Sequence, residues 1–330
     1  MKKQLKTLLA VALTAALASP AMAADKIAVV VKAMGIGFFD AVNQGAQEAA
    51  KELKNVEIIY TGPAKATAEG QIEVINSLIA QNVKAIVISA NDPDALVPVM
   101  KKAMQRGIKV VSFDSGVRKD GRMMQLNPSA SPLIGKKLVD MTRDAIGNTG
   151  EIAILSATAQ ATNQNVWIEE MKKVLAKPEN SGLKLVSTVY GDDQTDKSYR
   201  EAQGLFKGYP NLKVIIAPTS VGAPAAAKAV TDEKLVGKVF VTGLALPSEM
   251  LGHINSGASK SFALWNPIDL GYASVMAASQ FISGKATGKP GEKISVGRVG
   301  TITLDENNEA AMSEPFTYDK SNTEKFSKFF

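Results

Sequence analysis

KIAVVVKAMGIGFFDAVNQGAQEAAKEL, residues 26–53, is the stretch on which the fold turns. Its first six residues are continuously apolar after Lys26 and rich in Val and Ile, with no polar alternation. That pattern reads as a strand covered on both faces, as in a parallel sheet. From Phe38 the period changes: Phe39, Val42, Ala46, Ala49 and Leu53 fall on one side of a helix. The strand-then-helix unit recurs along the chain. VEIIY (56–60) precedes a helix over 69–82, KAIVISA (84–90) a helix over 94–106, and KVVSFD (109–114) and RMMQLN (122–127) a helix over 131–146. A second series follows: EIAILSA (151–157), LKLVSTVYG (183–191), LKVIIAP (212–218), KVFVTGL (238–244) and SFALWN (261–266). Helices are expected over 164–176, 195–208, 222–231, 247–256 and 268–284, before a Gly-rich, strand-like tail. Two βα series predict the α/β class, with two doubly wound parallel sheets.

Upstream of that stretch, residues 1–23 read as a leader rather than as fold. Lys2, Lys3 and Lys6 precede an apolar run from Leu8 to Leu17, and Ala21-Met22-Ala23 is a small-x-small cleavage site, so the mature chain is expected to start at Ala24 and to be exported and soluble. The 330 residues carry 38 Lys+Arg against 32 Asp+Glu. Removing three lysines and no acidic residue leaves 35 against 32, a net charge of +3, which argues against nucleic-acid binding. No cysteine and a single histidine, His253, exclude disulfides, thiolate nucleophiles and Cys- or His-rich metal sites. Neither a metal nor another cofactor is expected.

Open parallel sheets bind ligands beyond the carboxyl ends of their strands. The side chains there include Lys32, Phe38, Phe39, Asp92, Asp114, Asn163, Gln164, Pro218, Thr219, Trp265 and Asn266. Amides, carboxylates and a lysine offer paired donors and acceptors to vicinal hydroxyls, and aromatic faces cover the C–H face of a sugar ring. The bland readings stand beside these. Of Phe38 and Phe39, one is expected in the core and the other in the crevice. Asp92-Pro93-Asp94 opens a helix, so one of the two acids serves as its N-cap; Asp94 suits that first turn and leaves Asp92 for ligand. Asn163 suits a cap or a ligand, and Trp167 reads equally as core or contact. Gly35-Ile36-Gly37 lacks the third glycine of a dinucleotide fingerprint, Asp40 standing in its place. Asp114 is expected to emerge in the crevice and to support little packing. No carboxylate pair with a partnered base points to catalysis. A secreted sugar-modifying enzyme is the rival from another class.

The opening stretch, together with AEGQIEVINSLIAQNVKAIVISANDPDALVPVMKKAMQRGIKVVSFDSG (68–116) and FALWNPIDLGYASV (262–275), resembles the type I periplasmic binding proteins of sugar ABC transporters over nearly all of residues 26–330. Within that family the chain is similar to rhamnose-binding proteins and autoinducer-2 receptors, which share the lysine after the first strand, the Gly-Phe-Phe run and the acid ending the fourth strand; here these are Lys32, Gly37-Phe38-Phe39 and Asp114. Autoinducer-2 receptors carry an aspartate where Asn163 stands, and Pro-Asp-Ala where Pro218-Thr219-Ser220 stands. A charge-assisted hydrogen bond is worth roughly 1.5–3 kcal/mol against about 1 for a neutral one, so the lost acid favours a neutral deoxyhexose such as rhamnose. The resemblance implies two lobes joined by three crossovers, expected near Asn127, Asn266 and residues 288–300. One lobe is then 24–126 plus 267–290 and the other 127–266 plus 291–330. It also implies a periplasmic, monomeric receptor whose partners are a small-molecule sugar and a membrane permease, with no chemistry of its own.

Overall fold

The computed structural model describes residues 24–330; the leader expected at 1–23 lies outside the described residues. The chain builds β1 (Asp25–Val30), α1 (Gly37–Leu53), β2 (Val56–Thr61), α2 (Ala68–Ala80), β3 (Ala85–Ile88), α3 (Val97–Gln105), β4 (Lys109–Phe113) and β5 (Met124–Ser129) in turn. Ile27 to Val30 are fully buried because β1 is paired in parallel on both sides, with Val29 opposite Tyr60 of β2 and Val87 of β3. A second series gives α4 (Ser131–Ile146), β6 (Gly150–Ser156), α5 (Thr162–Leu175), β7 (Leu183–Tyr190), α6 (Thr195–Gly208), β8 (Leu212–Ala217), α7 (Gly222–Asp232), β9 (Phe240–Gly243), α8 (Pro247–Ser256) and β10 (Ser261–Leu264). The remaining elements are α9 (Pro267–Ile282), β11 (Lys293–Ser295), β12 (Thr301–Thr303), β13 (Glu309–Ser313), β14 (Phe316–Asp319) and α10 (Thr323–Phe326). Among the described residues one sheet runs β13-β5-β4-β3-β1-β2 and another β7-β6-β8-β9. A bridge from Leu244 to Ala263 links the latter to the antiparallel β10–β14 pair. No described helix is long and apolar enough to cross a membrane.

The chain changes sheet three times: from β5 into α4, from β10 through Trp265 and Asn266 into α9, and from β13 through Glu314 and Pro315 into β14. The third change corrects the expectation of a crossover at 288–300. That Gly-rich segment stays on the first lobe, where β11 and β12 form a hairpin against α9. Arg298 anchors it through Glu48 at 2.7 Å and Asp269 at 3.0 Å. The tail is therefore divided: β13 pairs with β5, whereas β14 and α10 pack on β10 and α8. The assignment of 291–330 as a whole to the second lobe is corrected accordingly, as is the boundary at 126, since β5 continues to Ser129 in the first sheet.

Buried amides lock the strand ends of the first lobe. Gln71, fully buried, donates to the carbonyls of Val31 and Ser89 and accepts from the Asn91 amide N–H. The Asn91 side chain in turn donates to the Lys32 and Thr67 carbonyls. Backbone groups left unpaired where β1 and β3 end are satisfied in this way, and Lys32 is held at the edge between the lobes.

Candidate functional site

The strand ends of both lobes face one another across a cavity of about 400 Å³, part of it open to solvent. Nine of the eleven residues singled out in the sequence line it: Lys32, Phe38, Phe39, Asp114, Asn163, Gln164, Pro218, Thr219 and Trp265. Lys32 and Asp114 come from the ends of β1 and β4, Asn163 and Gln164 from the first turn of α5, Pro218 and Thr219 from the end of β8, and Trp265 from the second crossover.

Polar contacts bridge the lobes. Lys32 Nζ donates to Asn163 Oδ1 at 3.0 Å, and Asn163 Nδ2 donates to Asp114 Oδ1 at 2.8 Å. Asp114 Oδ2 accepts from Ser89 Oγ at 2.8 Å and lies 3.9 Å from Lys32 Nζ. Thr162 Oγ1 adds a second link, to the Gly116 carbonyl. Gln164 Oε1 accepts from Ser156 Oγ and the Ala157 amide, both at 2.7 Å, and so pins the start of α5 to the end of β6. Asp114 has φ +54°, in the left-handed region that Asp and Asn tolerate better than most side chains. It is 5% exposed and, contrary to the expectation of a residue with little structural role, is bonded to both lobes.

The aromatic wall also departs from expectation. Phe38 and Phe39 are both buried and both line the cavity, their rings meeting edge to face at 5.2 Å. Trp265 stands perpendicular to Phe38 and 5.6 Å from Trp167, which is therefore a wall residue rather than remote core. Ile36, Leu244 and Leu264 supply aliphatic surface.

Two sequence assignments are corrected. Asp92 lies outside this cavity; its carboxylate turns back to accept from the Asp94 and Ala95 amides, both at 2.8 Å, and the helix expected from residue 94 starts only at Val97. Asp92 closes the turn that precedes α3, whose N-cap Leu96 has no side-chain bond, while Asp94 pairs with Arg118. Asn266 is the N-cap of α9, accepting from Ile268 and Asp269. In both cases a short side chain satisfied nearby backbone donors instead of facing the crevice.

Of the charged residues that line the cavity, Asp193 alone is outside the set singled out above. Asp193 follows Asp192 in Gly-Asp-Asp after β7, and both adopt positive φ, +49° and +53°. Asp192 turns outward to Lys197, whereas Asp193 enters the cavity and accepts from Thr219 Oγ1 at 2.6 Å. Burial pushes the Asp193 carboxyl up, against the opposing influence of Lys32 and Thr219. The cavity therefore presents one ammonium and two carboxylates from opposite lobes, with amides between them. It is a set of fixed hydrogen-bonding groups beside aromatic and aliphatic walls.

Comparison with known proteins agrees with this architecture. The family model described as the periplasmic binding protein domain matches residues 27–286. A solved ABC transporter solute-binding protein from Clostridium phytofermentas with bound L-rhamnose is 35% identical, with a TM-score of 0.90 over 93% of this chain and 99% of that one. The D-ribose/D-allose-binding protein of Pseudomonas aeruginosa is 29% identical over 66% of this chain and 70% of its own length. LsrB from Clostridium saccharobutylicum in complex with AI-2 is 23% identical with a TM-score of 0.87, covering 91% of this chain and 99% of that one, and shares the fold. With two parallel-sheet lobes meeting at a strand-end cavity, and a family match spanning most of its length, the chain belongs to the periplasmic binding protein domain family.

Proposed function

We propose that this chain is the exported sugar receptor of an ABC importer and that it takes L-rhamnose or a related 6-deoxyhexose. The observation that carries the reading is the mixed lining of one cavity. Lys32, Asp114, Asn163, Gln164 and Asp193 supply the hydroxyl partners, while Ile36, Leu244 and Leu264 supply aliphatic surface on which a deoxy-sugar methyl can be buried. The 35% identity to a rhamnose-bound receptor supports it. Closure of the lobes around the sugar would present a joint surface to a permease, and the chain would act in the periplasm as a monomer without chemistry of its own.

Asp193 changes one part of the argument. Asn163 replaces an acid, yet Asp193 returns a second carboxylate to the cavity, so acid count does not separate a deoxyhexose from autoinducer-2. The second carboxylate favours autoinducer-2 receptor as the alternative reading. The chain's only two tryptophans, Trp167 and Trp265, both line the cavity, which provides the test. Titration with rhamnose, fucose, ribose, allose and autoinducer-2 is expected to change tryptophan emission most strongly and at the lowest concentration with rhamnose. Calorimetric binding of rhamnose without any emission change would put the ligand elsewhere, and preference for another sugar would replace the assignment.

Closure should also respond to pH. Glu249 on α8 reaches across to the start of α1, where its Oε1 lies 3.0 Å from the place a Cβ on Gly37 would occupy. Although the residue retains solvent exposure, burial of its carboxyl pushes it up to about 7 from 4.5. Lys228 and His253 line the same recess; Lys228 is paired with Asp232, and burial holds the His253 pKa down. With an ordinary pKa in the open form, Glu249 takes up a proton on closing. Its contribution to closure is then full below about 4.5 and is lost as the pH rises through about 7. Sugar affinity is expected to fall over that interval, and Glu249→Gln to flatten the profile. An identical pH profile in the variant would remove Glu249 from closure.

A further inference from the structure

The sugar cavity is not the largest space between the lobes. Beside it lies a vestibule of about 1680 Å³, also partly open to solvent, and Asp114, Asn163 and Trp167 line both. The rest of the vestibule comes from the segment after β4, from β5 and β13, and from the first turns of α5. We propose that the vestibule is a second glycosyl subsite, so that the receptor accepts a disaccharide whose deoxyhexose end occupies the cavity and whose second, neutral sugar lies in the vestibule.

Three observations carry this. The first is continuity: the hydrogen bond from Asn163 to Asp114 belongs to the wall shared by the two spaces. A glycosidic or hydroxyl oxygen that accepts from Asn163 Nδ2 in place of Asp114 would lie at the junction. Trp167, common to both, offers aromatic surface to either ring. The second is a rigid polar floor. Arg122, 7% exposed, is held by the Val117 carbonyl at 2.7 Å, the Asn308 carbonyl at 3.0 Å and Glu309 at 2.6 Å. Glu309 also accepts from Asn127, whose Oδ1 accepts from Gln125. Planar carboxylates, amides and a guanidinium fixed in one network are suited to pairs of hydroxyls. The third is unused capacity: the exposed Lys119 Nζ contacts only the Glu306 carbonyl among the described residues. The formal charges of the lining balance, with Arg118, Lys119 and Arg122 against Asp114, Asp120 and Glu309. A neutral sugar therefore fits the subsite better than a phosphate or a uronate.

The inference rests on the deoxyhexose reading, and calorimetry with two probes separates them. Rhamnose tests the cavity alone; rutinose, a rhamnosyl glucose, tests cavity and vestibule together. Rutinose is expected to bind within about tenfold of rhamnose. Lys119→Ala removes that exposed amine. It should weaken rutinose about fivefold or more and leave rhamnose within about twofold, equivalent to roughly 1 kcal/mol or more against less than about 0.4. Rhamnose binding with rutinose more than about a hundredfold weaker overturns the subsite and leaves the deoxyhexose reading intact. Rutinose binding that Lys119→Ala leaves undisturbed also overturns it. Silence with rhamnose, whatever rutinose does, overturns the deoxyhexose reading and this inference with it.

Discussion

Asp114→Asn is expected to weaken sugar binding by about tenfold to hundredfold while moving the melting temperature by no more than about 4 °C. The carboxylate has two roles, and the substitution separates them. As a structural group it accepts from Ser89 Oγ and Asn163 Nδ2 at the end of β4. An asparagine can keep both contacts by turning its oxygen to Asn163 and its amide to the serine hydroxyl, which also accepts. It also tolerates the φ of +54°, where alanine would be strained. As a charge, however, Asp114 is one of the two acids in the cavity and lies 3.9 Å from Lys32 Nζ, and each of its oxygens keeps a second lone pair for a sugar hydroxyl. Neutralising it exchanges charge-assisted bonds for ordinary ones, a loss of roughly 0.5–2 kcal/mol for each, which over two sugar hydroxyls corresponds to that range in Kd. Asp114→Ala would mix the two effects, because it also strands Ser89 and Asn163. Calorimetry and thermal melting of Asp114→Asn decide the matter. Affinity within twofold of the parent, with a large fall in melting temperature, would make Asp114 a structural acid and place the reading of sugar hydroxyls on Asp193 and Gln164.

What could be read from the residues, and what could not, follows from the range over which each signal acts. Continuous Val/Ile runs alternating with 3.6-residue periodicity are local consequences of two-sided burial, so the βα series were legible. The residue just after a buried strand must leave the core, which made Lys32, Asp114 and Thr219 legible as well. Asp92 and Asn266 occupy equivalent positions, but each is followed by a proline and by backbone donors, of a turn in one case and of the start of α9 in the other, that captured the side chain. Capping and ligand contact draw on the same chemistry, and the choice between them is made by χ angles that sequence spacing does not encode. Asp193 escaped selection because two successive left-handed residues, rather than strand alternation, decide which acid of the pair enters the cavity. The third crossover was misplaced because glycine-rich sequence suggests a linker. Gly297 instead packs onto the ring of Tyr272, where a Cβ would come within 2.2 Å of the hydroxyl, and the crossing waits until Glu314-Pro315.

The largest stability effect is expected from Gly45→Ala, a substitution that would look harmless on a helix surface. α1 and α9 cross at a point where each contributes a glycine to the other's backbone. A Cβ on Gly45 would lie 1.7 Å from the Ile268 carbonyl oxygen, and one on Gly271 would lie 1.9 Å from the Val42 carbonyl oxygen. A Cβ essentially never comes within 3.0 Å of a heavy atom, so the helices must separate by about an ångström or bend. Overpacking against side chains costs about 1–3 kcal/mol; here the obstacle is backbone, which cannot rotate away, and a loss of about 3 kcal/mol or more is expected. At roughly 2–4 °C per kcal/mol, the melting temperature should fall by about 6–12 °C. Binding should suffer too, because α1 carries Phe38 and Phe39 into the cavity and α9 begins two residues after Trp265. Gly204→Ala is the internal control: it lies in helix α6, where an added Cβ meets nothing within 4 Å, and the better helix former should stabilise the protein by up to about 1 kcal/mol. If Gly45→Ala melts with the parent while Gly204→Ala behaves as expected, α1 and α9 pack less closely than described, and the aromatic wall they position must be held by the strands alone.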